Sequence, residues 1–385
     1  TGPTLRTYRL AVATTGEFTD WWGGTKAAAL SQVVAVVNRV NLAYAIEVTI
    51  QFQLVANNDL IVYTDPEADP FTEYENGIMI GQNQTTCDGV IGPANYDTGH
   101  VFSMSGGGLA SLGVVCRANV KGRAVSSNAY DLDGHAHTFG HEMGHQFNAS
   151  HTFNSPSGQC GPNISTASAY ETGSGSTFMS YAGSCWPDDI TGWPGDYTFH
   201  TMSFDSVLAY ISGGANCFVG TPTGNNQPTL SSIATRNIPA RTPFEMTASA
   251  NDANGDTVYY AFDQRDAGSG FTLAAGDPGS GPIIRPLLPS TSNVRTIPAW
   301  PWLLTNSAPL GETLPTTTRA LAFRAVARDN RGGVNSLFFS INVTNTGTPF
   351  ALTSPNGGGT LSGSIPITWN VAGTTASPIN AANVS

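Results

Sequence analysis

The chain has 385 residues and a formal net charge of −11, with 16 basic and 27 acidic side chains, yet only 11% of it is charged. Its length suits two or three domains rather than one. With two lysines, Lys26 and Lys121, and no basic cluster, it is excluded as a nucleic-acid binder, because phosphate recognition needs grouped Lys and Arg. No apolar run approaches membrane-spanning length, so no membrane span is expected. Residues 1–217 hold 19 acidic and 7 basic side chains against 8 and 9 in residues 218–385, which places the acidity in the first part, where it serves solubility.

The first four residues show neither the basic nor the apolar region of a signal peptide, so a secreted protein would be met here in processed form. Tyr8, Leu10 and Val12 alternate and predict a strand over 7–13. Val33, Val36, Val37, Val40 and Tyr44 recur at helical spacing within about 19–45, and Val48, Ile50, Phe52 and Leu54 alternate with polar residues as a half-buried strand. The order so far is β-α-β. A short apolar run at 60–63 and a second helix over roughly 71–90 follow, then a buried strand from His100 to Met104.

Gly106-Gly107-Gly108-Leu109-Ala110 comes next. It lacks the Lys and Ser/Thr of a phosphate loop and reads by itself as a Gly-rich hairpin. Asp131-Leu132-Asp133-Gly134 is too short for a calcium loop and supplies turn chemistry able to cap the helix behind it. His135 and His137 precede the ligand stretch; His137, four residues before His141, could lie on the same face, but is expected to be a solvated histidine at a helix start rather than a fourth ligand.

The stretch His141-Glu142-Met143-Gly144-His145-Gln146-Phe147-Asn148-Ala149-Ser150-His151 carries the chemistry. On a helix His141 and His145 lie one turn apart on one face, so both imidazoles reach one cation. Glu142 points aside and is free to act on a water held by the metal. A third ligand on the same helix would point away, so the chain must turn, and Asn148 stands at the turn because Asn readily takes a left-handed backbone. His151 then arrives from the far side. About thirty residues on comes Ser176-Thr177-Phe178-Met179-Ser180-Tyr181.

The spacing HExxHxxNxxH resembles the zinc motif of the metzincin metalloendopeptidases, although most of that clan carries Gly where Asn148 stands. The second segment looks like the metzincin Met-turn. The resemblance implies one catalytic zinc on His141, His145 and His151, with Met179 as the hydrophobic floor beneath it. It implies that Glu142 is the general base and proton donor, and that Tyr181, at a position where astacins and serralysins place a tyrosine, ligates zinc or stabilises the tetrahedral intermediate. Gly108-Leu109-Ala110 with Cys116 behind it is similar to the strand that rims the cleft in reprolysins and would pair with an extended peptide.

The same resemblance implies disulfides Cys116–Cys217 and Cys160–Cys185, with Cys87 unpaired, and hints at calcium through Asp97. Phe204, Val207, Leu208 and Ile211 suggest a last helix ending at Gly213-Gly214.

Residues 218–228 have linker composition. Beyond them Phe244, Met246, Ala248 and Ala250, then Leu321, Phe323, Ala325 and Ala327, then Leu337, Phe339, Ile341 and Val343, alternate between Gly, Pro and Asn turns, as in a β-sandwich. The segments at 252–256 and 327–333 resemble those of bacterial immunoglobulin- or cadherin-like modules; Asp252, Asp256 and Asp329 read as turn residues, with calcium as the alternative. Ile367, Trp369 and Val371 start another unit too short for a sandwich, and the end at Val384-Ser385 suggests trimming from a longer precursor.

The expected fold class is therefore an α/β (α+β) metzincin domain with a mixed sheet and a zinc helix, followed by all-β sandwich modules. Expected boundaries are 1–217 for the catalytic domain, 218–228 for the linker, 229–345 for the sandwich, and 346–385 for a partial second module or an extension of the first. The expected function is a secreted, monomeric, extracellular zinc endopeptidase acting on protein or peptide substrates, with calcium as a further candidate ion. The alternatives are a pappalysin-like metzincin, which His151-Thr152-Phe153 would also suit, and a surface adhesin or glycan-binding protein with a degenerate zinc domain.

Overall fold

A computed structural model describes residues 1–127, 130–268 and 270–381; Val384 and Ser385, on which the expectation of a trimmed end was placed, lie outside them. The chain opens with β1 (Thr4–Thr14), α1 (Gly16–Trp21), α2 (Lys26–Val48) and β2 (Ile50–Leu54). The single helix expected over 19–45 is two, because Gly23 and Gly24 take positive φ angles of 108° and 71° between them. Val48 belongs to the helix rather than the strand, and Thr49 closes α2 in a left-handed conformation.

There follow α3 (Asn76–Thr86), β3 (Thr98–Phe102), β4 (Gly108–Ala110), β5 (Ala124–Ser126), α4 (Leu132–Gln146), α5 (Thr201–Gly213) and β6 (Val219–Pro222). The sheet runs β2-β1-β3-β5-β4. β2, β1, β3 and β5 are parallel and β4 is antiparallel to β5, which leaves β4 at the edge. β1 is buried on both faces. Tyr8, Leu10 and Val12 join the core under α2 and α4, while Ala11 and Ala13 join a second cluster with Met79 and Ile80 of α3. This accounts for a central strand rich in apolar residues at successive positions.

α2 is long and apolar enough, by length and composition, to cross a membrane, which corrects the expectation that no run approaches that length. Its Val33, Val36, Val37, Val40 and Tyr44 are fully or almost fully buried in the protein core, as expected of one apolar stripe on a core helix.

Within residues 218–228, expected as a linker, β6 returns to the first sheet and pairs antiparallel with Thr4–Thr7 of β1. The remaining strands are β7 (Thr229–Leu230), β8 (Arg236–Pro239), β9 (Phe244–Thr247), β10 (Ala250–Asn251), β11 (Tyr259–Gln264), β12 (Val294–Ile297), β13 (Arg319–Arg328), β14 (Val334–Thr344), β15 (Ala351–Ser354) and β16 (Thr368–Asn370), with a short helix α6 (Trp300–Leu304). They form a four-stranded sheet β11-β13-β14-β8 and two-stranded pairs β12-β9, β10-β7 and β15-β16. A mixed α/β sheet followed by a β-rich region is thus the architecture.

The period of β13 divides its side chains between two neighbours. Leu321, Phe323 and Ala325 enter a core of the β-rich region with Phe244, Met246, Phe339 and Ile341. The alternate residues face the other way: Val326, with Ala261 and Val334, belongs to the core of the first region. On the same face Arg324 pairs with Asp205 at 2.6 Å and Arg328 pairs with Glu47 at 2.7 Å. The two regions therefore share a core. β15 and β16 form their own hairpin, with Ile367 and Trp369 exposed.

Candidate metal centre

α4 is started by Asp131, whose carboxylate accepts the Gly134 N–H at 2.7 Å, a cap that contributes about 1 kcal/mol. Its Phe139, Met143 and Phe147 are completely buried, each contributing on the order of 1.5–3 kcal/mol by burial. The helix stops at Phe147, and Asn148 takes a φ of 71°. The Ala149 N–H then donates to Gly144 O at 2.9 Å, and the chain reverses toward His151.

The three histidines meet. His151 Nε2 lies 3.0 Å from His145 Nε2 and 3.2 Å from His141 Nε2. Each ring is held at its other nitrogen by a backbone carbonyl: His141 Nδ1 by Phe178 O at 2.6 Å, His145 Nδ1 by Ala149 O at 2.7 Å, and His151 Nδ1 by Asn163 O at 2.8 Å. A carbonyl only accepts, so each Nδ1 carries the proton and each Nε2 presents a lone pair.

Three lone pairs this close repel one another unless a cation lies among them. Zinc–imidazole bonds of about 2.0–2.1 Å in a tetrahedral array place donor atoms about 3.4 Å apart, so the donor set fits zinc. Burial lowers the proton affinity of all three rings, to about 3 for His145, and neighbouring histidines lower it further for His141 and His145. Neutral imidazole is the form a metal requires.

Met179 is fully buried and packs against α4 at Gly144. A Cβ on Gly144 would stand 2.3 Å from its sulfur, and one on Gly140 would stand 2.5 Å from the Phe178 ring. The two helical glycines are what let the Met179 segment come so close. Tyr181 sets its ring 4.6 Å from that of His151 and 5.7 Å from that of His141. Burial, and then the charge of Glu142, push its hydroxyl up to about 12.

Glu142 is buried, and burial raises its carboxyl well above the usual range. A Cβ on Gly108 would fall 2.4 Å from Glu142 Oε1. β4 therefore passes close against this carboxyl, and any side chain larger than glycine's at 108 would displace it. Leu109 beside it is partly exposed on the strand at the sheet edge.

The structure pairs Cys116 with Cys217 and Cys160 with Cys185, and leaves Cys87 as a buried thiol pushed up to about 12 by burial. His137, expected to be solvated, is buried, as is His135. His137 is enclosed by Trp193, Phe178 and Tyr197 at ring distances of 4.9–5.6 Å, and burial holds it neutral by lowering it to about 4. Asp97 is bound on both oxygens by Arg9, at 2.7 Å and 3.1 Å, which answers its charge without an ion. Asp252, Asp256 and Asp329 gather their oxygens within 4.8 Å of one another, with Asp256 paired to Arg331 at 2.7 Å and Asp329 accepting the Arg331 and Gly333 N–H groups.

One residue absent from the sequence reading is Glu171. It is fully buried and accepts the Thr152 hydroxyl at 2.5 Å, the Ser176 N–H at 2.8 Å and both the hydroxyl and the N–H of Thr177. It thereby ties the residue after His151 to the segment carrying Met179.

Residues 4–190 match the family model described as Metallo-peptidase family M12B Reprolysin-like. The match supports a metallopeptidase with a metzincin-like domain, and such peptidases act on proteins or peptides. A search of the curated proteins found no match. Among solved structures, a nucleoside hydrolase-related hypothetical protein from Saccharophagus degradans, described as associated with carbohydrate metabolism, is 10% identical, with 88% of this chain and all of that chain covered at a TM-score of 0.21. A likeness that low carries no argument.

Proposed function

We propose that the protein is a secreted zinc endopeptidase whose metal is held by His141, His145 and His151. The observation that carries this reading is the convergence of three Nε2 lone pairs, each ring oriented by a backbone carbonyl, beside a buried carboxyl under an edge strand. When bound, zinc supplies Lewis-acid polarisation of a peptide carbonyl and lowers the pKa of water.

The chain's own groups do the rest. The free edge of β4, at Gly108, Leu109 and Ala110, takes an extended peptide by backbone hydrogen bonds. Glu142, next to the attacked bond, accepts the proton of the attacking water and delivers it to the departing amine. A nearby cation offsets the burial that otherwise favours its neutral form. Tyr181 keeps its proton at neutral pH and donates to the oxygen on which charge develops. Met179, packed on Gly144, closes the apolar underside; the groups named here all lie within residues 1–217, the catalytic domain, and residues 229–345 are a β-sandwich packed against it. The two disulfides are consistent with an extracellular protein.

The test is Glu142→Ala. It should bind zinc as the parent does and lose roughly 10²- to 10⁴-fold in turnover, whereas His145→Ala should lose both. A Glu142→Ala protein that still cleaves at the parental rate would remove this assignment. The glycan-binding alternative is favoured by no specific feature of the site.

A further inference from the structure

The carboxylate of Asp188 stands where three segments meet. It is buried, with 2% of its surface exposed. Its Oδ2 accepts the hydroxyls of Ser155 and Ser157, each at 2.7 Å, and its Oδ1 accepts the backbone N–H of Leu273 at 2.9 Å. Ser155 and Ser157 lie in the loop that leaves His151; Leu273 belongs to the β-rich region. Further bonds follow the same line: Gly270 N–H donates to Asn154 O at 2.9 Å, Gly268 N–H to Ala169 O at 3.3 Å, and Arg285 Nη1 to Ile190 O at 2.7 Å.

The loop held by Asp188 ends on the third histidine. The Cys160 N–H donates to Ser157 O at 3.0 Å, the Asn163 N–H to Cys160 O at 2.9 Å, and Asn163 O in turn orients the His151 ring. His141 and His145 sit on a helix and are aimed by it. His151 sits on a loop, and its aim depends on what fixes residues 155–163. The Cys160–Cys185 disulfide and the Gln159 N–H bond to Ser184 O at 2.9 Å pin the middle of this loop; the carboxylate, by accepting two hydroxyls at residues 155 and 157, fixes its start, and it needs a third donor from elsewhere because a buried carboxylate left short of partners is costly.

We propose that Asp188 is a positioning residue for the third metal ligand, and that the β-rich region, through the Leu273 N–H, is a working part of the metal centre. This rests on the zinc reading above. Its chemistry is not catalytic: Asp188 acts on His151 through Ser155, Ser157 and Asn163.

The Leu273 N–H can be removed alone. Leu273 is the first residue of a 3-10 turn and follows Thr272, whose φ of −83° and ψ of 158° suit a residue before proline. Leu273→Pro in the full chain should weaken zinc binding, measured by competition with a chromogenic chelator, by roughly 3- to 10-fold, below the 10- to 100-fold typical of partners bonded directly to a ligand. It should shift the visible bands of the cobalt-loaded protein and speed hydrogen exchange across 155–163. Leu273→Ala, which keeps the N–H, should match the parent in all three. Should Leu273→Pro fail to fold, Ser157→Ala, which removes one hydroxyl from Asp188, is read in the same way. Zinc affinity and cobalt bands equal to those of the parent in the folded variant would overturn the proposal. A parent chain that binds no zinc would instead sink the zinc reading itself.

Discussion

Gly108 and Glu142 form the tightest contact between the edge strand and the buried carboxyl. Gly108→Ala would drive a methyl group to 2.4 Å from Glu142 Oε1, so the carboxyl must rotate out of place. The expected result is a fall in kcat of at least roughly 10-fold, comparable with misplacing a general base, while zinc content measured by atomic absorption stays at the parental level. Gly144→Ala meets the sulfur of Met179 at 2.3 Å and should cost about 1–3 kcal/mol by overpacking, measured by urea denaturation. Tyr181→Phe should lower kcat roughly 10- to 100-fold with little change in KM, if its hydroxyl meets the developing charge. These residues differ in how legible they were. The ligand spacing and Asn148 follow from helix geometry, which any sequence displays. Glu171 and Asp188 could not be found that way, because a carboxylate buried by distant partners looks like any surface acid until the chain is folded. Gly140 and Gly144 did offer a signal: each costs a helix about 1 kcal/mol relative to Ala, a penalty that makes sense where another segment packs against the bare backbone.

At the scale of elements, the strand β3 and the helix α4 are joined by buried neutral histidines. His100 Nδ1 donates to Gln146 Oε1 at 3.2 Å, and its Nε2 accepts the Ser126 hydroxyl at 2.7 Å; the Gln146 amide nitrogen is spent on Thr98 and Gly99, so its oxygen must accept. Burial lowers His100 to about 3 and, with the nearby His100 ring, lowers His135 to about 3. Unfolding returns both to about 6.5, so below that pH the unfolded chain binds protons that the folded one refuses. Stability should therefore be undiminished by these groups above pH 6.5 and fall as pH drops from 6.5 toward 3, with each histidine adding a slope of about 1.4 kcal/mol per pH unit. Urea midpoints between pH 7 and pH 4.5 measure it. Replacing His100 by Gln should flatten the dependence, and an unchanged slope would contradict it. The existence of α2 and β2 was legible in their apolar periodicity, but not where they begin and end. Their boundaries were missed where glycine or a cap intervened, at Gly23-Gly24 and Thr49.

The whole molecule is more closely joined than two domains on a string. A composition of Gly, Thr, Pro and Asn made residues 218–228 read as a linker, yet β6 completes the first sheet, because backbone pairing places little demand on side chains. The alternation of β13 was visible in Leu321, Phe323 and Ala325, but nothing in the sequence singled out Arg324 and Arg328 on its other face. They are the interface. Arg328 and Glu47 are both 3% exposed and paired at 2.7 Å and 2.9 Å, and Glu47 also accepts the Phe199 N–H at 3.2 Å. Arg328→Met alone should destabilise the protein by about 3–5 kcal/mol, since it strands a buried carboxylate, and Glu47→Gln should recover part of that loss. By the same reasoning a chain ending before residue 229 should be insoluble or lack a cooperative melting transition, having lost Ala261, Val326 and Val334 from its core.

The measurement that bears most directly on the central claim is cleavage of an unfolded protein such as casein by the metal-stripped chain, before and after stoichiometric zinc is restored. The account predicts no cleavage without metal, recovery on adding zinc, and no recovery in His145→Ala. Cleavage that persists in the stripped protein, or a folded chain that takes up zinc and cuts nothing, would contradict it.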